Sequence, residues 1–199
     1  MPAESRLWNH NIHYHRLILD AVPKTAHSGL DIGCGNGLLA LELRELLPEV
    51  TAIDTDAAVL EAASLLSNNV AWVRGDAMSH MFGKQFDVVT SVATLHHFPD
   101  LELALSRLAD LTSPGGVLAI IGVARTSRMK DMMLHLGGAV QHQWLSHKYG
   151  FWEHTAPTVW PPKDDYETIR RTAKKILPGV RWKQLLLWRY SLLWCKPSS

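Results

Sequence analysis

Carboxylates and histidines in the first half of the chain are spaced in a way that could bind a ligand and act on it. Asp31 lies within LDIGCGNG (30–37), Asp54 and Asp76 follow two further apolar segments, and LHHF (95–98) supplies two histidines. Glycine permits close approach of the backbone, a carboxylate accepts hydrogen bonds from hydroxyl or ammonium groups, and histidine exchanges protons near neutral pH. The pattern indicates a site for a polar organic ligand.

The glycine stretch does not match the two common phosphate-binding loops. A dinucleotide fingerprint needs G-x-G-x-x-G, but Leu38 occupies the place of the third glycine and Gly37 comes one residue early. A P-loop would need a lysine and then a hydroxyl residue, and neither follows. We therefore expect the loop to approach an uncharged part of a ligand while Asp31 accepts hydrogen bonds from a cationic group. An amino acid tail on a nucleoside has both features.

The elements that must position these residues alternate along the chain. Apolar segments predict strands, and segments with helical periodicity lie between them. The predicted strands are 30–34, 50–54, 70–76, 86–95 and 115–124, and the predicted helices are 38–47, 57–67 and 100–111. A helix over 166–177 and a hairpin over 180–197, turning near Trp188, follow a helical cap at 126–163. This predicts an α/β fold with a doubly wound, mostly parallel, seven-stranded Rossmann-like sheet and a C-terminal antiparallel hairpin.

Composition favours one domain over residues 1–199, because 47% hydrophobic residues in 199 can form a core without metal or disulfide support. The net charge of +1 gives no broad basic field, so no nucleic-acid partner is expected. Two cysteines and the absence of a long apolar run predict a cytoplasmic protein with no membrane partner. The oligomeric state is not predicted.

Four motifs in this order resemble those of the class I S-adenosylmethionine-dependent methyltransferases, over roughly residues 29–124. They are LDIGCGNG, Asp54 at the end of the second strand, GDA at 75–77, and FDVVTSVATLHHFPD followed by LTSPGGVLAI. The resemblance implies that S-adenosylmethionine is the cofactor, that Asp54 holds its ribose and that Asp76 holds its adenine amino group. It implies cofactor contacts for Asp31, Gly33, Cys34, Gly35, Gly37, Asp54, Thr55, Gly75, Asp76, Ala77 and Val92. For Cys34, packing as a small buried residue is the favoured interpretation.

The two histidines after the fourth strand have two interpretations. In small-molecule methyltransferases of this superfamily a histidine at this place can act as a base, and His96 or His97 resembles it. The alternative is a structural corner, in which one histidine packs on the cofactor and the other hydrogen-bonds to the backbone.

The segment before the first motif, 1–23, is predicted to form a lid helix. In related methyltransferases such a helix lies over the cofactor, which makes His13 and Tyr14 candidate contacts. Three histidines at 10, 13 and 15 resemble a metal-ligand spacing, but no cysteine or acid accompanies them and a helix would spread them over different faces. No metal is expected.

Residues 126–163 are predicted to cap the substrate side of the sheet. Their methionine, histidine and tryptophan side chains suit a neutral, partly hydrophobic acceptor, with Trp144, His147 and Trp152 the candidates to line its pocket. Packing of the cap on the sheet explains such residues equally well. WPPKDD (160–165) lacks the Asn or Asp before Pro-Pro that marks amino-directed nucleic-acid methyltransferases.

The predicted function is therefore methyl transfer from S-adenosylmethionine to a small-molecule partner, with oxygen favoured over nitrogen or carbon as the acceptor atom. Two alternatives stay open: a methyltransferase acting on nucleic acid or protein, and a non-catalytic scaffold that binds the cofactor without turnover.

Overall fold

A computed structural model describes residues 8–152 and 161–198 as a seven-stranded sheet with helices packed on both faces. The strands are β1 (Ser28–Ile32), β2 (Glu49–Asp54), β3 (Ala71–Arg74), β4 (Phe86–Val92), β5 (Thr112–Val123), β6 (Arg181–Gln184) and β7 (Arg189–Cys195). The predicted fold class, a mostly parallel sheet with a terminal antiparallel hairpin, is confirmed.

Six α-helices accompany these strands in the described residues. They are α1 (His15–Leu19), α2 (Leu38–Leu46), α3 (Ala57–Ser64), α4 (Leu101–Leu111), α5 (Met129–Tyr149) and α6 (Tyr166–Ile176), and short 3-10 turns cover Ile12–Tyr14 and Leu95–His97. Aspartates begin three of the helices, because a side-chain oxygen there accepts from the first free backbone N–H groups. Asp56 caps α3, Asp100 caps α4 and Asp165 caps α6.

The strand order creates a crevice for a ligand at one edge of the sheet. The order is β3-β2-β1-β4-β5-β7-β6, with the first five strands parallel, and β7 antiparallel to both β5 and β6. From β1 the chain proceeds outward to β3 and then returns to add β4 on the other side. Loops leaving β1 and β4 therefore diverge, and a crevice opens at their carboxyl ends.

Both faces of the sheet are buried, as continuous apolar strands require. Val88 and Val89 are consecutive in β4 and both fully buried, on opposite faces. Val89 belongs to the core formed with Leu105 of α4 and Ile169 of α6, and Val88 to the core formed with Leu43 of α2. The two layers of helices hold the sheet rigid, so its loops have fixed starting points.

Several boundaries differ from the predicted ones. β4 ends at Val92 rather than at 95, because Ala93 adopts a positive φ of 52° and the Thr94 hydroxyl donates to the Val92 carbonyl oxygen. β5 begins at Thr112, directly after α4, and its pairing with β4 shifts register between Phe86 and Val88. The irregular exit from β4 leads directly into the 3-10 turn Leu95–His97, which contains the double histidine.

The two ends of the chain also differ in detail. In place of a lid helix over 1–23, the described part has a 3-10 turn and the five-residue α1; residues 1–7 lie outside the description. The turn starts where the Asn9 side chain accepts from the N–H groups of Asn11 and Ile12. The predicted cap contains α5, and its residues 153–160 lie outside the description. Across 8–152 and 161–198, no helix is both long and apolar enough to cross a bilayer.

Candidate active site

A cavity of about 540 Å³ lies at the carboxyl ends of β1 to β4, where the strand order reverses. Its walls contain Gly33, Gly35, Asp54, Thr55, Gly75, Asp76, Ala77, Val92 and His97, all predicted from the sequence. They also contain residues that were not predicted, among them Asp56, Met78, Thr94, Phe98 and Leu103. A second cavity of about 80 Å³ adjoins it and shares Gly33, Gly35 and Val92.

The glycine loop owes each glycine to a different constraint. Gly33, Gly35 and Gly37 have φ values of 67°, 51° and 75°, a region that other residues enter only with strain. A Cβ on Gly33 would meet the Thr94 side chain at 2.3 Å, and one on Gly37 would meet the Trp72 ring at 2.5 Å. Around Gly35 the space is open to 4 Å. Gly35 therefore leaves room for a ligand, whereas Gly37 serves packing and borders neither cavity.

Asp54 is fixed at the cavity wall by two backbone donors. Its Oδ2 accepts from the Gly35 N–H at 2.9 Å and its Oδ1 from the Asp56 N–H at 3.0 Å. Each oxygen retains a lone pair, so the oriented carboxylate can still accept from two neighbouring hydroxyls of a ligand. The same bond from Gly35 ties the glycine loop to the end of β2.

The turn after β3 forms the opposite wall. Asp76 accepts from the Met78 N–H at 2.9 Å through Oδ1, which shapes the turn, and its exposed side chain borders the cavity. Ala77 is buried beside it. This arrangement can hold a planar heterocycle by its edge amino group.

Asp31 is buried at the smaller cavity, with 2% of its surface exposed. Burial raises the pKa of its carboxyl to about 6, although a 2.8 Å hydrogen bond from the Thr90 hydroxyl opposes the shift. A cationic ligand group would stabilise the ionised form. Cys34 borders the same cavity, and burial raises the pKa of its thiol, so it remains protonated and unreactive at neutral pH.

The N-terminal segment lies over the smaller cavity, but with other residues than those predicted. Asn9, Asn11, Ile12 and His15 border it, whereas His13 and Tyr14 do not border either cavity. The Tyr14 hydroxyl instead donates to the Leu186 carbonyl oxygen at 2.9 Å, and His13 lies 3.4 Å from Trp8 Nε1. Tyr14 therefore contacts the C-terminal hairpin, and His13 contacts Trp8.

The three N-terminal histidines point to three different partners. His10 Nε2 lies 3.0 Å from His142 Nδ1, His13 accepts from Trp8, and His15 Nδ1 lies 3.0 Å from Glu42 Oε2. In the described residues, no group of three or more His, Cys, Asp or Glu side chains is arranged to hold a metal.

The side chains of His96 and His97 lie in different surroundings. His97 is exposed at the wall of the larger cavity, where burial lowers its pKa and the charge of Asp54 opposes the shift. The His96 ring lies 4.2 Å from that of His97 but borders neither cavity. Burial, then His97 and then Arg189, lower the pKa of His96 to about 4, so the imidazole is neutral at pH 7.

The three residues predicted to line an acceptor pocket are dispersed. Trp144 is 60% exposed on α5, with Lys148 Nζ 5.1 Å from its ring, and His147 is exposed on the same helix. Neither is brought to the cavities, because the buried part of this helix presents Leu145 to the core instead. Trp152 borders the smaller cavity, and its backbone N–H donates to the Trp8 carbonyl oxygen at 2.8 Å.

Comparison with known proteins identifies the family. Residues 30–120 match a methyltransferase domain model. An uncharacterized methyltransferase of Mycobacterium bovis is 39% identical over 193 residues, covering 96% of this chain and 98% of the relative. The chain belongs to the class I S-adenosylmethionine-dependent methyltransferases. It is an enzyme of that family, and its cofactor is S-adenosylmethionine.

More distant methyltransferase relatives share only part of the chain. A ubiquinone biosynthesis O-methyltransferase of Chelativorans sp. is 28% identical over 130 residues, covering 61% of this chain and 51% of the relative. Among solved structures, that of the [4+2]-cyclase SpnF matches all of this chain and 86% of its own with a TM-score of 0.69 at 16% identity, a likeness of fold.

The residues of this methyltransferase fit the cofactor. The larger cavity is within the range of about 300–1,000 Å³ typical of ligand pockets, and the smaller one extends it past Gly35 toward Asp31. We expect Asp76 and Asp54 to hold the nucleoside part, and Asp31 to face the ammonium group of the methionine tail.

Proposed function

We propose that this methyltransferase methylates an oxygen atom of a small molecule and that His96 receives the proton of the acceptor hydroxyl. One observation carries the proposal: His96 Nδ1 is buried without a hydrogen-bond partner in the described residues, and the His96 ring lies 4.2 Å from that of His97, which borders the larger cavity. An unpaired buried polar atom is costly, which favours a role in contacting a ligand.

The chemistry asked of the protein is limited. When bound, S-adenosylmethionine supplies an electrophilic methyl group on a sulfonium. The protein must hold the acceptor oxygen in line with that methyl group and accept the proton that the hydroxyl loses. His96 is neutral at pH 7, so one imidazole nitrogen has a free lone pair, but its lowered pKa makes it a weaker base than an ordinary histidine. His97, on the cavity wall, would contact the cofactor instead.

Oxygen is supported as the acceptor atom by the partial relatives, several of which are named O-methyltransferases. A small molecule is supported over nucleic acid by the net charge of +1, since binding to a phosphate backbone depends on clustered cations. Macromolecular acceptors and cofactor binding without turnover are the competing outcomes of the test below.

The test is incubation of the purified protein with methyl-labelled S-adenosylmethionine and a cell extract. We expect label in small metabolites. Alkaline hydrolysis would release the label as methanol from a methyl ester and would leave it in place in a methyl ether. Label in protein or nucleic acid would replace the proposal with the macromolecular alternative. Bound cofactor with no labelled product would leave the scaffold interpretation.

Two histidine variants then test the assignment of the base. His96→Ala should lower kcat about 100-fold, the lower end of what a general base contributes, and leave the Kd for S-adenosylhomocysteine unchanged. His97→Ala should instead raise that Kd. His27→Ala, an exposed histidine before β1, is the control. Full turnover of His96→Ala at every pH would eliminate His96 as the base.

A further inference from the structure

Arg189 stands at the same edge of the sheet as the cofactor site. It is the first residue of β7, which runs antiparallel to β5, and it pairs with Val123, the last residue of β5. Because β5 is parallel to β1 and β4, its carboxyl end lies beside the loops that form the cofactor cavity. The hairpin therefore brings an arginine to the edge of the sheet at which the cavities lie, where its partner Asn11 borders the smaller one.

The guanidinium of Arg189 contacts only neutral groups among the described residues. Nη2 and Nε donate to Asn11 Oδ1 at 2.8 and 3.1 Å, and Nη1 donates to the carbonyl oxygens of Leu187 and Trp188 at 3.3 and 3.5 Å. No ion pair within 8–152 and 161–198 includes it. Burial lowers its pKa to about 10, so it is still charged at pH 7. A cation withdrawn from water without a counter-ion is costly.

Three polar atoms that lack hydrogen-bond partners lie near the Arg189 guanidinium or its neighbour Trp188. The Tyr166 hydroxyl, in a side chain only 5% exposed, and the ring nitrogens His96 Nδ1 and His135 Nε2 are buried with no hydrogen bond to another described residue. Tyr166 is near enough to Arg189 to raise its pKa, and Arg189 in turn helps lower the pKa of His96. The Tyr166 hydroxyl can donate to the second oxygen of an anion whose first oxygen binds the guanidinium.

Aromatic rings form the apolar surroundings of the same place. The centroid of the Trp188 ring lies 5.3 Å from that of His10, 6.1 Å from that of His135 and 6.4 Å from that of His142. The His135 ring in turn lies 6.2 Å from that of Tyr166. Flat side chains of this kind pack well against a flat ligand.

We propose that Arg189 and Tyr166 bind the carboxylate of a small aromatic acid, which is the methyl acceptor, and hold its hydroxyl between His96 and the cofactor. This inference rests on the proposed function. It changes the sequence-based expectation of a neutral acceptor, because an arginine with no acidic partner within 8–152 and 161–198 favours a negative charge on the ligand. The assignment concerns binding; proton transfer remains with His96.

The first test uses benzoate and benzamide, which have the same shape but differ in charge, with S-adenosylhomocysteine present. Benzoate should raise the melting temperature in a concentration-dependent way, as any ligand of the folded state does, and benzamide should not. In Arg189→Met the benzoate shift should disappear, and in Arg189→Lys it should be reduced. Arg181→Met, on the exposed edge strand β6, is the matched control and should keep it.

Tyr166→Phe keeps the test decisive if Arg189→Met folds poorly. The hydroxyl it removes is buried without a partner, so the melting temperature of the ligand-free protein should stay the same or rise. Its affinity for benzoate should fall about tenfold, the loss expected for one charge-assisted hydrogen bond. Equal shifts with benzoate and benzamide, no shift with benzoate, or a benzoate shift retained in both variants would overturn the proposal.

The carboxylate of the cofactor is the other anion that could reach Arg189. The Kd of Arg189→Met for S-adenosylhomocysteine separates the two, and we expect it to match the wild type within about twofold. A rise of tenfold or more would assign Arg189 to the cofactor and overturn the acceptor site. Because benzoate binding needs no turnover, these outcomes are independent of whether methyl transfer to a small molecule is found.

Discussion

The carboxylate of Asp54 is oriented by backbone N–H groups from two separate loops, which prepares it to hold a diol. We expect Asp54→Ala to weaken binding of S-adenosylhomocysteine by on the order of 1–3 kcal/mol, the loss for a buried polar partner. Titration calorimetry measures this directly. Glu61→Ala, on the exposed side of α3, should bind like the wild type. Equal affinities for the two variants would show that Asp54 does not contact the cofactor.

The raised pKa of Asp31 makes cofactor binding depend on pH. Since that pKa is about 6 and the ionised form faces the ligand's ammonium group, affinity should be full above pH 6 and fall about tenfold per unit below it. Binding near pH 6 should release a proton, which calorimetry in buffers of different ionisation enthalpy detects. Asp31→Asn should bind weakly at every pH tested. A wild-type affinity that does not change between pH 5 and 7 would refute this assignment.

The contribution of Asp31 to folding stability should change with pH in the opposite direction to cofactor affinity. The folded-state pKa lies above the ordinary value of 3.8, so the folded chain takes up this proton more readily than the unfolded chain. The contribution of Asp31 to stability is therefore present at low pH and is lost as the pH rises from about 4 to 6.

Sequence reasoning at this scale found the residues whose position is fixed relative to a strand. Asp31, Asp54 and Asp76 follow motif spacing, and all three border the cavities. Asn11 could not be found, because its position over the cavity depends on contacts with the distant hairpin. Arg189 carried a signal that was not used: it is the charged residue inside the apolar run LLLWRYSLLW (185–194).

At the scale of the elements, the loop between β1 and α2 contains one glycine expected to matter for cofactor binding and another expected to matter for stability. Gly35→Ala adds a methyl group in open space at a positive φ, which should cost about 1–2 kcal/mol of stability and lower cofactor affinity about tenfold or more. Gly37→Ala combines the same strain with a 2.5 Å approach to the Trp72 ring and should cost about 2–5 kcal/mol. Thermal unfolding and calorimetry on both variants measure the two quantities.

The expected contrast is that Gly35→Ala loses cofactor affinity as well as stability, whereas Gly37→Ala loses mainly stability. A control at Gly83, which also has a positive φ and open space but borders neither of the two cavities, isolates the backbone strain. If Gly83→Ala and Gly35→Ala lowered cofactor affinity equally, the loss would reflect general destabilisation.

Helix boundaries with a capping aspartate were predictable, since the cap is a local hydrogen bond. The side of α5 that faces the protein was not, because Met129, Met132, Leu136 and Trp144 are all exposed and apolar residues mark no buried face. This is why the predicted acceptor residues on that helix are not at the site.

At the scale of the whole molecule, alternating strands and helices were sufficient to predict a parallel, doubly wound sheet. The antiparallel hairpin of the last two strands was also predicted, but not that β7 would lie between β5 and β6. The proposed acceptor side was beyond prediction, since it combines the exit of β4, the N-terminal segment and the hairpin turn. No local pattern reports which three distant segments meet.

The hydrogen bonds between Asn11 and Arg189 join residues 178 positions apart. Bringing such distant segments together is entropically slow, whereas the cofactor loops of β1 to β3 require only short-range closure. During folding, the cofactor cavity can therefore form early, and the proposed acceptor side is completed only when β7 has joined the sheet. Until then the chain could bind S-adenosylmethionine without holding the proposed acceptor.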